Sequence, residues 1–292
     1  MRDTPELLRQ FWALDGAGVT PLGGGMNSET WLVEHEGSTY VAKRVPTTQV
    51  AELVTGCEIA AALAQAGLVT GRPLPTTDGR LVLTEHGVAL LEHVAGRQLE
   101  GETDDEQRSI AGTLAAVHVT GGPAAGPSTA YFMADWLSPH LPEAEAHRWL
   151  RPVIEAVRAE TDPLTVTWSV VHNDPAPEAF LHNDTTGVTG LIDWSGATRG
   201  PVLYDVASAV MYLGGPDPAS AFLGAYRAQG PLGSDELQWL DAFRRFRWAV
   251  QAAYFAWRLA ANDLTGIAGQ AENEKGLADA RRGLSQLGLD AG

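Results

Sequence analysis

Between Ser169 and Trp194 the chain reads SVVHNDPAPEAFLHNDTTGVTGLIDW, and few backbone paths accommodate it. Ser169, Val170 and Val171 lead into His172 as a short apolar strand. Pro175 and Pro177 then forbid regular structure, because proline fixes φ and lacks the N–H that a ladder needs. The run from Asn183 to Gly187 has the composition of a hairpin turn, flanked by strands at Phe180–Leu181 and Val188–Ile192. The chain therefore leaves one buried strand through a stiff loop bearing Asp174, makes a hairpin, and leaves another buried strand at Asp193, nineteen residues later.

The tripeptide His-Asn-Asp occurs twice here, and His172, Asp174, His182 and Asp184 would in principle supply four nitrogen and oxygen donors to zinc. The second copy opens the hairpin turn, where side chains face solvent, so the repeat is read as coincidence and only the first copy as chemical. Two carboxylates delivered by a loop and a strand end suit phosphoryl transfer. One accepts the proton of an attacking hydroxyl, and the other holds magnesium on nucleotide phosphates. Taken singly, each acid is explained as well by a solvated loop.

Other features give them company. Pro21–Ser28, PLGGGMNS, is a glycine-rich turn between strands, where absent side chains let backbone N–H groups approach phosphate. Trp31–Val33 and Tyr40–Lys43 read as strands about the turn Glu36-Gly37, which puts Lys43 in mid-strand, a costly burial without an anionic partner. Gln49 to Ala66 reads as a helix stopped by Gly67. With Val50, Leu53, Val54, Cys57 and Ala61 as its packed face, Glu58 falls roughly 80° from Val50 and can reach inward, whereas Glu52, roughly 200° away, sits in water.

Two further strands are expected at Arg80–Glu85 and Val88–Val94, across Gly87. After Gly96 the pattern turns helical, most clearly at 105–118 and 235–259, and 121–129 looks like a surface loop. Strands first and helices afterwards indicate an α+β chain of two lobes, residues 1–94 and 95–292, with a connector near His93–Gly96. The length of 292 residues, 45% of them hydrophobic, supports a substantial core. A formal net charge of −16 supplies no basic stripe for nucleic acid. Cys57 is the sole cysteine, so intrachain disulfides and cysteine-based zinc sites are excluded. No run approaches ~18 apolar residues, and the first residues lack the apolar core of a signal peptide, so a cytoplasmic protein is expected.

The most specific piece, HNDPAPEAFL followed by GLIDWSGATRGPVLYDVASAV, resembles the His-Gly-Asp, Ile-Asp-Trp and Tyr-Asp-Leu-Ala pattern of the aminoglycoside phosphotransferase, choline kinase and type II homoserine kinase group. That resemblance extends from about Val19 to Leu259. It implies a bilobal protein-kinase-like fold, with a small antiparallel-sheet N-lobe and a mostly helical C-lobe. It further implies an ATP- or GTP-dependent, magnesium-dependent kinase acting on the hydroxyl of a small polar molecule such as an aminoglycoside-like antibiotic or an amino alcohol. By the same resemblance Asp174 is the catalytic base and Asp193 the main magnesium ligand. Lys43 contacts the phosphates and pairs with Glu58, beneath Gly23, Gly24, Gly25, Asn27 and Ser28. Connector residues including Glu92 and Val94 offer backbone groups to the base. His172 orients the catalytic loop, and Asp205 braces it as a buried acid.

Two positions depart from the pattern. Asn173 replaces a glycine, and Ala179 stands where an asparagine amide oxygen should bind magnesium. Either Glu178 supplies the second metal ligand, or one ion on Asp193 suffices, or the chain is a nucleotide-binding pseudokinase. Two more readings stay open: a serine/threonine kinase acting on a natural-product precursor peptide, and a protein that sequesters an antibiotic without ATP. Phe243, Phe246, Val250, Tyr254 and Trp257 recur at helical spacing and read as core. Tyr131 and Trp136 are assigned to packing in preference to an acceptor pocket, and His118 to the core.

Overall fold

The structure, a computed structural model, describes residues 3–23, 27–233 and 235–289. Helix α1 (Thr4–Trp12) precedes three antiparallel strands, β1 (Gly18–Leu22), β2 (Glu29–His35) and β3 (Ser38–Arg44). Glu36 and Gly37 link β2 to β3 with φ of 48° and 79°, the paired left-handed geometry of a tight hairpin. Helix α2 (Val50–Gln65) follows, then β4 (Pro73–Leu74) and β5 (Val88–Glu92), completing a sheet ordered β1-β2-β3-β5-β4. Leu7, Leu8 and Trp12 of α1 seal one side of this sheet against Val33, Ala42, Leu83, Val88 and Leu90. The expected strand at 80–85 does not form. Beyond a single bridge from Leu83 to Val88 that segment is a turn, closed by Thr76, whose N–H donates to the Arg80 carbonyl, while the Arg80 guanidinium holds Asp78 and Glu85. The place beside β5 goes to β4, and β5 itself ends at Glu92.

The second lobe begins with β6 (Arg97–Gln98) and α3 (Asp104–Thr120), whose first turn is capped by the Thr103 hydroxyl accepting from the Glu106 N–H. The expected surface loop is exposed over most of its length, but β7 (Ala124–Ala125) within it pairs with β8 (Thr167–Val171), and a Cβ on Gly126 would fall within 1.7 Å of the Trp168 ring. Helices α4 (Glu143–Ala146) and α5 (Leu150–Thr161) lie between them in the chain. The hairpin of β9 (Phe180–Asn183) and β10 (Val188–Leu191) forms as expected and pairs with β6, while β11 (Thr198–Pro201) completes a sheet with β8 and β7. Helices α6 (Val202–Tyr212), α7 (Ser220–Gln229), α8 (Leu240–Ala261) and α9 (Gln270–Gln286) finish the chain. Residues 236–239 form a separate 3-10 turn ahead of α8.

Two apolar clusters centre this lobe. One joins α5, α6 and α8 through Ile154, Tyr204, Phe243 and Phe246; the other joins α3, β9 and α7 through Leu114, Phe180 and Phe222. Together they hold β8, α6 and α8 rigid around the loop that carries Asp174.

Candidate active site

The loop after β8 is held by its backbone. Asp205, fully buried on α6, accepts the N–H of His172 at 2.6 Å through Oδ2 and that of Asn173 at 2.8 Å through Oδ1. The His118 Nε2 lies 3.0 Å from the same Oδ2, and its Nδ1 lies 2.5 Å from the Tyr226 hydroxyl. A carboxylate only accepts, so Nε2 carries the proton and Nδ1 accepts from Tyr226. A tyrosine, a histidine and an aspartate thus form one buried relay ending on the loop's amides. Burial, and then the charge of Asp205, push the Tyr226 hydroxyl above its ordinary range, which keeps it a donor.

The loop bearing Asp174 is also tied to the loop bearing Asp193. His172 is buried and donates through Nε2 to the Ile192 carbonyl at 2.9 Å, with its ring edge-on to Trp194. Asn173 donates through Nδ2 to the Gly196 carbonyl at 2.6 Å. Its φ of 72° explains why glycine is the usual occupant and why asparagine, tolerant of left-handed backbone, can replace it. Asp193 is likewise left-handed, with φ of 69°.

Lys43, nearly buried in β3, crosses from the sheet to pair with Asp193 Oδ1. Burial raises the Asp193 pKa, but the charge of Lys43 and its hydrogen bond outweigh this and hold the carboxyl below its ordinary range, although solvent reaches 57% of the side chain. The expected partner Glu58 is exposed, and among the described residues no ion pair joins it to Lys43. The reason lies in how α2 docks. A Cβ at Gly56 would meet the Trp194 carbonyl oxygen at 2.1 Å, so the helix lays its glycine on the loop bearing Asp193 and buries Leu53, Gly56, Cys57, Ala60 and Leu63. Glu58 then points roughly 160° away from Gly56 around the helix. Burial pushes the neighbouring Cys57 thiol up to about 12 despite Lys43, so it is no nucleophile.

Of the glycine-rich turn, Gly24 and Gly25 lie outside the described residues; Gly23 and Asn27 are exposed and Ser28 is partly covered. Asn27 Oδ1 accepts from the Tyr254 hydroxyl at 2.7 Å and from Arg258 Nη1 at 3.2 Å, bringing the turn onto α8 of the other lobe. In the connector, the Glu92 carboxylate is held by Arg72, with Nε at 3.1 Å. Glu92 and Val94 help line a cavity of about 490 Å³ bounded by the end of α2, residues 68–72 and the β9–β10 hairpin; neither Lys43 nor Asp193 lines it. Glu178 is exposed on a 3-10 turn and Ala179 is buried beside it. His182 meets the Thr189 hydroxyl at 2.8 Å and Asp184 is exposed near Arg97 on the hairpin, as its turn composition implies.

Sequence reasoning missed Arg247 and Tyr212, both of which bond Asp174 Oδ1, at 2.9 and 2.5 Å. It also missed Arg258, a fully buried arginine anchored by Asn273 and by the carbonyls of Asp263 and Thr265. The signal for the two arginines was a guanidinium bordering the apolar face of a long helix at positions 247 and 258. Tyr254 and Trp257, expected in the core, are only partly buried and cluster edge-on with Trp136. Tyr131 is 77% exposed.

The family model described as "Phosphotransferase enzyme family" matches residues 18–247. Among solved structures, an amicoumacin kinase in complex with AMP-PNP, Ca2+ and Ami aligns with a TM-score of 0.69 at 16% identity, over 92% of this chain and 88% of that one. A choline kinase from Streptococcus pneumoniae aligns at 0.67 and 18%, over 94% and 97%. A microcompartment-associated aminopropanol kinase aligns at 0.69 and 17%, over 99% and 98%. At such identities the likeness is one of fold, the bilobal kinase-like fold. A search of curated proteins returns no significant match.

Proposed function

The chain belongs to the phosphotransferase enzyme family, and from that premise we propose that it moves the γ-phosphate of ATP or GTP to a hydroxyl of a small polar molecule. One observation carries this proposal. The loops of Asp174 and Asp193 are stitched together through His172 and Asn173, and Lys43 reaches Asp193 from the opposing sheet. These contacts support reading Asp174 as the base, Asp193 as the metal-ligating acid and Lys43 as the phosphate-binding cation of one site. Amino alcohols and aminocyclitol antibiotics are the acceptor classes to try first, since similar folds include an aminopropanol kinase and a spectinomycin phosphotransferase.

In this proposal Asp174 accepts the acceptor's proton, Lys43 binds phosphate oxygens, and Asp205 and His172 hold the loop in register. Asp193 fits magnesium, a hard cation that commonly takes one or two carboxylates and fills its shell from phosphate and water. Ala179 adds no donor. Glu178, exposed on the 3-10 turn beside Ala179, is the candidate second carboxylate. Bound at Asp193, magnesium supplies neutralisation of phosphate charge. Positioning by the protein's own loops supplies most of the remainder.

Ala179 and the absence of a Lys43–Glu58 pair favour one competitor, a pseudokinase that binds nucleotide without turnover. Nucleotide consumption, with and without magnesium, across pools of amino alcohols and aminoglycosides separates the two. Acceptor-stimulated turnover that Asp174→Ala abolishes supports the enzyme. Nucleotide binding with no pool raising turnover above that of the variant sinks it.

A further inference from the structure

The two oxygens of the Asp174 carboxylate are treated differently. Oδ1 accepts from the Tyr212 hydroxyl at 2.5 Å and from Arg247 Nη2 at 2.9 Å, whereas Oδ2 takes no hydrogen bond from any described residue and the side chain is 64% exposed. The donors are themselves joined, because Arg247 Nη2 also donates to the Tyr212 oxygen at 3.2 Å and the guanidinium lies over the tyrosine ring. An sp² oxygen with two such donors has both lone pairs engaged. We propose that Arg247 and Tyr212 are positioning residues that immobilise Oδ1, so that Oδ2 alone is presented to the acceptor hydroxyl. This rests on the assignment of Asp174 as the base.

The placement of both residues supports it. Tyr212 lies seven residues after Asp205 on α6, two turns along nearly the same face. One helix therefore fixes the backbone of residues 172 and 173 at one end and the side chain of residue 174 at the other. Arg247 is only 8% exposed, on a helix whose neighbours Phe243, Phe246 and Val250 are core, and its Nε is buried without a partner among the described residues. A guanidinium in that setting carries a desolvation cost that packing alone does not require. Its one carboxylate partner among the described residues is Asp174, with Gln251 taking Nη1 at 3.3 Å. In the reaction the acceptor's O–P bond forms while the bond from the γ-phosphorus to its bridging oxygen breaks. The electron pair leaves with the nucleoside diphosphate, and the acceptor proton passes to Oδ2.

The test is steady-state turnover of magnesium–ATP by Tyr212→Phe, Arg247→Lys and Arg247→Ala beside Asp174→Ala, with the acceptor pool that serves the unmodified enzyme. Tyr212→Phe, at a residue 38% exposed, should lower kcat about tenfold and leave the KM for ATP within about twofold. Arg247→Ala should lower kcat about a hundredfold, Arg247→Lys less, and millimolar guanidinium should restore part of the Ala variant's kcat. Unchanged kcat in Tyr212→Phe and Arg247→Ala, while Asp174→Ala is dead, overturns the positioning role and leaves the base assignment standing. Losses confined to KM or melting temperature, with no guanidinium rescue, overturn it as well. If the unmodified protein turns over no more nucleotide than Asp174→Ala, the base assignment itself has failed and this inference falls with it.

Discussion

Replacing Gly56 by alanine probes the joint between the two lobes more directly than any change to a charged residue. The added Cβ would sit 2.1 Å from the Trp194 carbonyl oxygen, 2.7 Å from its carbon and 3.0 Å from Ser195 Cα. All three are backbone atoms, and Trp194 is itself pinned by its indole N–H to the carbonyls of Thr70 and Leu191, so no flexible side chain can swing aside. A carbon needs about 3.3 Å from a carbonyl oxygen, so α2 and the loop bearing Asp193 must part by about 1 Å. Overpacking against rigid backbone costs about 3 kcal/mol, at the upper end of its usual range, and alanine returns about 1 kcal/mol through helix propensity.

The net loss of about 2 kcal/mol should appear as a melting temperature lower by about 5 °C. A 1 Å shift of Asp193 relative to Lys43 should reduce turnover by about a hundredfold. Gly224 on α7 is the control, since its Cβ would meet nothing within 4 Å. Gly224→Ala should raise the melting temperature by about 2 °C and leave turnover alone. Thermal melts and ATP turnover on both variants decide the matter. Should Gly56→Ala melt higher, like its control, and stay active, the close approach of α2 to residues 194 and 195 would not be what positions Asp193.

Asp205→Asn sets an amide N–H against one of three buried donors and should cost about 1–3 kcal/mol in chemical unfolding, with turnover falling further than stability because the catalytic loop loses an anchor. Ala179→Asn should lower the magnesium concentration for half-maximal turnover if Asp193 alone holds the ion, and Glu178→Gln should raise it if Glu178 is the second ligand; a null result in both removes Glu178 and position 179 from the metal site. Asp263 has its pKa raised by burial but lowered more by the Thr265 N–H and hydroxyl and by the Arg258 charge, for a net depression. Its folded value lies below the unfolded one, so its stabilisation is full above pH ~4 and lost as pH falls through the folded value; Asp263→Asn should therefore flatten the melting temperature between pH ~5 and ~3 relative to the parent.

The segment from β8 to α6 was legible because each of its signals is local. Prolines 175 and 177 end a strand, the 183–187 turn makes a hairpin, and Asp205 follows a short loop into a helix. The N-terminal sheet was legible in part. The strands around Lys43 follow from alternation, but nothing local distinguishes a two-residue edge strand at 73–74 from the apolar stretch 81–83 that lost the place to it. The facing of α2 was misread for a different reason. Val50, Val54 and Ala61 make a credible buried stripe, and only the contact of Gly56 with a backbone 138 residues later in the chain rotates the helix away from it. Arg247 and Arg258 were hidden by the same kind of long-range fact. A buried arginine on an apolar face announces itself only once its partners, Asp174 and Asn27, are placed.

The two departures beside Asp174 have opposite structural consequences. A glycine at position 173 would accept the left-handed backbone without strain, yet it could not donate to the Gly196 carbonyl; Asn173 accepts some strain and gains a 2.6 Å bond that couples the two acid-bearing loops. Alanine at position 179 surrenders a side-chain oxygen but keeps the backbone bonds that hold the turn, its N–H donating to the Ala176 carbonyl and its carbonyl accepting from the Ile192 N–H at 3.0 Å. Asn173 therefore tightens the register between the loops of Asp174 and Asp193, and Ala179 preserves it while removing one side-chain oxygen from those available to a cation. In phosphoryl transfer, positioning and charge neutralisation are separable contributions. If Asp193 and Lys43 act as proposed, the first is kept intact and the second is met by these two groups, so turnover at a raised magnesium requirement, read from a magnesium titration, is the expected outcome rather than nucleotide binding alone.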